Sequence, residues 1–215
     1  MPTKEEIKTA ILSSAYLPPI QYFTKLIKYK EVLIEQFDNY NKQTYRNRCQ
    51  ILSPNGPLSL SIPVEKESKK VKMKEVKISE HDNWRHQHWN AIESAYNNTP
   101  YFLYYQDYFA PFYEKKYTYL LDYNLDLLTL ICDLIDIDPN WQLTTEYLET
   151  PSKDKDDFRE LIHPKIEESI DPNFISLPYY QVFRHKYKFC SNLSIIDLLF
   201  NMGPESLVLL TTSYK

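Results

Sequence analysis

Ile7 to Ser13 is a short apolar run that ends in small polar residues and reads as a strand. Leu17-Pro18-Pro19 then opens Ile20 to Lys28, where Ile20, Phe23, Leu26 and Ile27 fall at helical spacing. Proline near the first helical position places the helix start at Pro18 or Pro19. Glu31 to Gln36, carrying Val32, Leu33 and Ile34, reads as a second strand. Strand, helix and strand within about 30 residues predict a βαβ unit with parallel strands and a right-handed crossover.

Arg48 to Leu52 and Leu58 to Val64 flank Asn55-Gly56, the signature of a tight hairpin. In the second arm Leu58, Leu60, Ile62 and Val64 alternate with Ser59 and Ser61, giving one apolar face. Val71, Met73, Val76 and Ile78 predict a further strand with a lysine-rich edge. Beyond it the rhythm turns helical. Asp82 is expected to cap a helix from Asn83 to about Tyr96, and Pro111 to start another carrying Tyr113, Tyr117 and Leu120. Leu125 to Ile135 is apolar nearly all round and reads as the central buried helix. Ser194-x-x-Asp197 resembles a capping box, opening a helix that Gly203 ends ahead of Pro204. The expected class is α/β: an N-terminal βαβ unit and hairpin form a small mixed sheet, followed by a mostly helical C-terminal half.

Length fits one domain over residues 1–215, with Lys66 to Lys74 and Thr150 to Asp157 read as solvated loops rather than boundaries. A net charge of −4, with both signs interspersed, gives no drive toward nucleic acid or anionic membrane. No stretch of about 18 apolar residues is seen, so membrane insertion is not expected. Lys4, Glu5, Glu6 and Lys8 precede too short an apolar run for a signal peptide. Cys49, Cys132 and Cys190 are odd in number and lack CxxC spacing, which fits reduced, separately buried thiols in the cytoplasm. The chain has 2 glycines, Gly56 and Gly203, both spoken for by turns. None remains for a Walker loop, a dinucleotide fingerprint or a GxSxG elbow, so any phosphate is held by Arg, Lys or a helix N-terminus.

Parallel strands send the loops Ser13 to Pro18 and Phe37 to Arg48 to one sheet edge, where open α/β sheets bind ligands. The second loop is dense in hydrogen-bonding groups and flat rings. Extended backbone there aims Arg46 and Arg48 to one side, as a fork for phosphate or carboxylate, and Tyr45 and Asn47 to the other. Lys42 and Tyr16 join them as candidate substrate-binding residues. A surface loop holding a salt bridge or two accounts for the same residues. His88 shares a helix face with Trp84, Ala91, Ile92 and Ala95 and is expected to point inward, as a general base or as a core histidine. His86 falls on the exposed side, and His86-x-His88 is too sparse for zinc, so no metal is expected. Asp197 is explained by its capping box.

Several segments together resemble the WbqC-like protein family. They are Ala15-Tyr16-Leu17-Pro18-Pro19-Ile20-Gln21-Tyr22-Phe23, the run Asp38 to Cys49, Leu60-Ser61-Ile62-Pro63-Val64, His88-Trp89-Asn90-Ala91-Ile92, Tyr180-Gln181-Val182-Phe183 and Asn192 to Pro204. One departure is Ser13-Ser14, where members often show Gln-Pro. The resemblance covers nearly the whole chain as one WbqC-like domain. It implies a bacterial role in O-antigen or other surface-polysaccharide biosynthesis and carries no established catalytic residue. The reading it supports is a group-transfer enzyme modifying an activated amino sugar. Arg46 and Arg48 would hold phosphate, Tyr16, Tyr45 and Asn47 would orient the sugar, and His88 would move the proton. The alternative is a non-catalytic nucleotide-sugar or partner-binding module. The expected partner is a small sugar or nucleotide-sugar substrate, with a partner protein open in the alternative, and the residues identify no cofactor.

Overall fold

The computed structural model describes residues 8–66, 70–152 and 154–215. Ile7, where the first strand was expected to open, and Lys4 to Glu6 lie outside them, as does part of the lysine-rich run. Strand β1 (Thr9–Ser13), helix α1 (Ile20–Lys28) and strand β2 (Glu31–Glu35) form the expected βαβ unit. The strands run parallel, with Thr9 opposite Glu31 and Ser13 opposite Glu35. Ala10, Ile11 and Leu12 are all sealed from solvent, as befits a central parallel strand. No side chain caps α1 from its own N-terminus. Asn192 supplies the cap instead, its Oδ1 accepting from the Gln21 amide at 2.9 Å.

Strand β3 (Arg48–Ser53) and β4 (Gly56–Ser61) make the hairpin as a separate antiparallel pair. Pro54 and Asn55 form its tip, and Gly56 leaves it at φ 104°, beyond the reach of an ordinary side chain. The class is therefore α/β as expected, with parallel and antiparallel pairings kept in two separate sheets. The segment around Val71 to Ile78 is not the strand that its apolar residues predict. Val71 and Met73 are in one alternation and Val76 and Ile78 in the other, and a 3-10 turn over Met73–Glu75 absorbs the offset. Isolated bridges, Asn39 to Lys72, Val64 to Ile78 and Lys77 to Tyr119, are all the β-pairing it makes among the described residues.

Helix α2 (Trp84–Tyr96) buries Trp84, His88, Ile92 and Ala95 on one face. Asp82 does not cap it: Asp82 and Asn83 both adopt left-handed backbone, and the side chain of Gln87 donates to the Asp82 carbonyl. Helix α3 (Phe102–Glu114) contains Pro111 in its last turns rather than starting there. Helix α4 (Leu120–Ile135) begins earlier than expected and is amphipathic, with Asp122, Asp126 and Asp133 exposed. The chain then returns to the first sheet. Strand β5 (Trp141–Leu143) pairs with β2 and strand β6 (Lys155–Asp157) with β1, both parallel, giving the order β5-β2-β1-β6. Lys155 to Asp157, read as loop from its charges, is thus an edge strand held by backbone pairing.

Helices α5 (Ile195–Met202) and α6 (Ser206–Thr212) close the fold. Ile195–Thr212 is long and apolar enough for a membrane span, which the sequence reading passed over, but 56% of it is buried inside the protein. Gly203 and Pro204 break it into two helices. The capping box is not formed. Ser194 Oγ donates to the Leu17 carbonyl at 2.8 Å, and the Asp197 carboxylate faces inward to Tyr96, Tyr179 and Gln181. Buried apolar residues from Ala10 to Leu210 join in one cluster.

Candidate functional site

All strands of the parallel sheet point the same way, so Ser13, Glu35, Leu143 and Asp157 end at one edge. The loops leaving β1 and β2 meet there. Tyr16 N–H donates to the Tyr45 carbonyl at 2.8 Å, and Asn124 of α4 donates to Ser14 Oγ (2.9 Å) and the Arg46 carbonyl (2.8 Å). The convergence expected from parallel pairing is present, clasped by a side chain that the sequence did not single out. Between the loops lies a cleft lined by Ser13, Thr44, Tyr45, Arg46 and Arg159, with a volume of about 10 Å³. That is room for a single water.

The charges around this cleft come from widely separated parts of the chain. Glu35, fully buried, accepts from Phe37 N–H (2.8 Å) and Thr144 Oγ1 (2.9 Å), and its second oxygen meets Arg159 Nη1 at 3.3 Å. Arg159 also places Nε and Nη2 on Asp157 and donates to the Leu148 carbonyl at 2.7 Å. Arg46 is ion-paired with Asp38, and Glu160 lies 3.8 Å from the same guanidinium. Arg46 Nε and Asp38 Oδ1 are buried without a hydrogen-bond partner. Such orphans are costly, and a ligand or a water is one way of satisfying them. Burial pushes the Asp38 carboxyl above its ordinary value, against the pull of Arg46.

The residues singled out from sequence divide between this cleft and its surroundings. Tyr45 and Arg46 line it. Arg46 and Arg48 do not fork onto one anion: the chain at 42–47 turns, with Gln43 at φ 62°, and is not the extended strand assumed. Arg46 turns inward to Asp38, whereas Arg48 Nε donates to Ser61 Oγ on the hairpin at 3.0 Å. Asn47 Nδ2 donates to the Ile62 carbonyl at 2.8 Å, tying the loop to the hairpin. Lys42 is exposed on the outer face of the loop.

Tyr16 and His88 lie beneath the loops in the core. The Tyr16 hydroxyl is 3.0 Å from His88 Nδ1 and 2.9 Å from the Tyr113 hydroxyl. Burial lowers the His88 pKa to about 4, opposed by a hydrogen bond to the Ser61 carbonyl. His88 is thus a neutral core histidine whose Nδ1 is engaged by Tyr16. Among the described residues, no three His, Cys, Asp or Glu side chains gather as metal ligands. Cys49 and Cys132 are buried free thiols, whereas Cys190 is only half-buried.

Sequence reasoning missed Glu35, Asp157 and Arg159. Glu35 was within reach, because a carboxylate ending a parallel strand falls at the ligand-binding edge. Arg159 follows a three-residue edge strand that has no apolar rhythm to reveal it.

Residues 13–164 match the WbqC-like protein family. The chain is 28% identical over 225 residues to the uncharacterized protein Rv1507c of Mycobacterium tuberculosis, covering 93% of this chain and 95% of that one. No solved structure matches the chain.

Proposed function

This chain belongs to the WbqC-like protein family, and from that premise we propose that it is a group-transfer enzyme modifying an activated amino sugar during surface-polysaccharide assembly in the bacterial cytoplasm. The supporting observation is the clasped pair of loops at the carboxyl edge, where Arg46 and Asp38 carry buried polar atoms without partners. Arg46 lines the cleft and holds the oxygen on which negative charge develops. Asp38 is the base. Its burial raises its affinity for a proton, a role that His88, closed off by Tyr16 and Ser61, does not fill.

In this reading the amine of the acceptor sugar attacks the acyl carbon of a donor. The new C–N bond forms as the bond from that carbon to its leaving oxygen or sulfur breaks. The proton lost by nitrogen passes to Asp38 and on to the leaving atom. The substrate sits across the mouth of the cleft, since about 10 Å³ does not admit a sugar. Purified protein incubated with nucleotide-linked amino sugars and acyl or aminoacyl donors is expected to yield a product heavier by the acyl group. Asp38→Asn is expected to lower the rate by roughly 10²–10⁴-fold with the fold intact. No product across a broad donor panel from folded protein counts decisively against the reading.

One observation favours a second reading, a nucleotide-sugar binding module without turnover. The guanidinium of Arg159 is already matched inside the protein by Asp157 and Glu35. That module raises its melting temperature with ligand and makes no product.

A further inference from the structure

The outer face of the loop after β2 forms one wall of a groove of about 440 Å³, separate from the cleft. Lys42, Lys66, Lys70 and Lys77 line it, and Glu65 is the one acidic lining residue among the described residues. All four lysines are exposed, and among the described residues none lies in an ion pair. The positive field extends to the wall: Arg46 and Arg48 both favour the ionised form of Tyr40, whose hydroxyl nonetheless stays protonated because burial dominates. Four ammonium groups around one hollow, without an ion pair among the described residues, repel one another, an arrangement that an anion relieves.

We propose that this groove holds the diphosphate of a nucleoside-diphosphate sugar, a proposal that deepens the reading above and rests on it. Lysines present mobile point charges rather than planar forks, which suits the many oxygens of a diphosphate. Val64, Val71 and Val76 give the groove an apolar floor, and Tyr40 adds a ring beside it on which a flat base can lie. The volume falls in the range of small-molecule sites. A chain of net charge −4 does not attract an extended polyanion or an anionic bilayer, which fits a compact ligand. Tyr40 and Lys42 of the groove share a short loop with Tyr45 and Arg46 of the cleft, so one loop lines both.

Titration calorimetry with uridine diphosphate, uridine monophosphate, inorganic pyrophosphate and orthophosphate tests this. The two diphosphates are expected to bind more tightly than the two monophosphates. Lys42→Ala/Lys77→Ala is expected to weaken them by about tenfold or more, while the control Lys28→Ala/Lys188→Ala leaves them unchanged. Tyr40→Ala is expected to erase the advantage of uridine diphosphate over pyrophosphate. No binding to the wild-type protein, or equal affinity in the groove variant, overturns the proposal. Product formation with groove-independent diphosphate affinity sinks the groove alone. Groove binding with no product from any donor sinks the transfer reaction alone.

Discussion

The hydroxyl of Tyr16, at the turn out of β1, is hydrogen-bonded to Nδ1 of His88 on α2, with the oxygen and nitrogen 3.0 Å apart. Burial favours the neutral ring over the protonated one, and a contact with the Ser61 backbone of the hairpin offsets part of it. The pair ties the first loop of the carboxyl edge to the helical half and to the hairpin.

His88→Ala removes a buried ring and one of the two hydrogen-bond partners of the Tyr16 hydroxyl, and is expected to cost about 2–4 kcal/mol in chemical denaturation. The loss depends on pH. The folded pKa of about 4 lies below the ordinary 6.5, so the unfolded chain binds the extra proton first. Stability from the neutral ring is complete above pH 6.5 and drains away as pH falls toward 4, by about 3 kcal/mol. Unfolding free energies of wild type and His88→Ala, measured across that window, should converge. Parallel curves would show that His88 is not buried and neutral.

Asp197 runs the other way. Burial raises its pKa from 3.8 to about 6, outweighing hydrogen bonds from Tyr179, Tyr96 and Gln181. The folded state therefore takes up the proton first, and this group's contribution is complete below pH 3.8 and lost as pH rises through 6. Between pH 4 and 6 the two groups oppose each other. Asp197→Asn is expected to give a stability that falls more steeply on acidification than wild type, followed by thermal melts at pH steps.

Asn124 is the clasp across the two loops. Asn124→Ala deletes its bonds to Ser14 and Arg46 and leaves their oxygens to other partners, at about 1–3 kcal/mol. Faster hydrogen exchange at the Tyr16 amide, which donates across the same junction, is the accompanying local signature. Unchanged exchange would mean that the loops meet without it.

Gly203→Ala is expected to be severe. A Cβ there meets the Tyr101 ring at 2.5 Å, and φ of 55° disfavours any side chain. A loss of about 2–4 kcal/mol is expected, only part of which Tyr101→Ala recovers, because the backbone strain remains. Full recovery in the double variant would assign the whole effect to the ring.

The strands and helices with strong apolar rhythm were legible: Ile20 to Lys28 is helical over the residues its spacing predicts, and the hairpin forms as expected, though its turn is Pro54-Asn55, one residue earlier than Asn55-Gly56. The elements missed are those whose stability comes from elsewhere. Strands β5 and β6, with Gln142 and Asp156 at their centres, are specified by backbone pairing to β1 and β2. Asp197 obeys a capping pattern in sequence yet turns to tyrosines 18 and 101 residues away. The meeting of the two loops followed from parallel topology, but the partner of Arg46 did not. Asp38, eight residues earlier, faces it only because the loop turns at Gln43 instead of running straight.

Glu35 and Arg159 are separated by 124 residues, and that interval has a meaning in time. At translation rates of roughly 5–20 residues per second, β2 leaves the ribosome on the order of 10 s before its guanidinium partner is made. During that interval the acidic strand end lacks the cation that allows it to be buried, and the sheet lacks β5 and β6. Asp171, which neutralises the buried Lys25 of α1 at 2.5 Å, is made later still. The buried charges of Glu35 and Lys25 are therefore matched only once the chain carrying Arg159 and Asp171 has emerged.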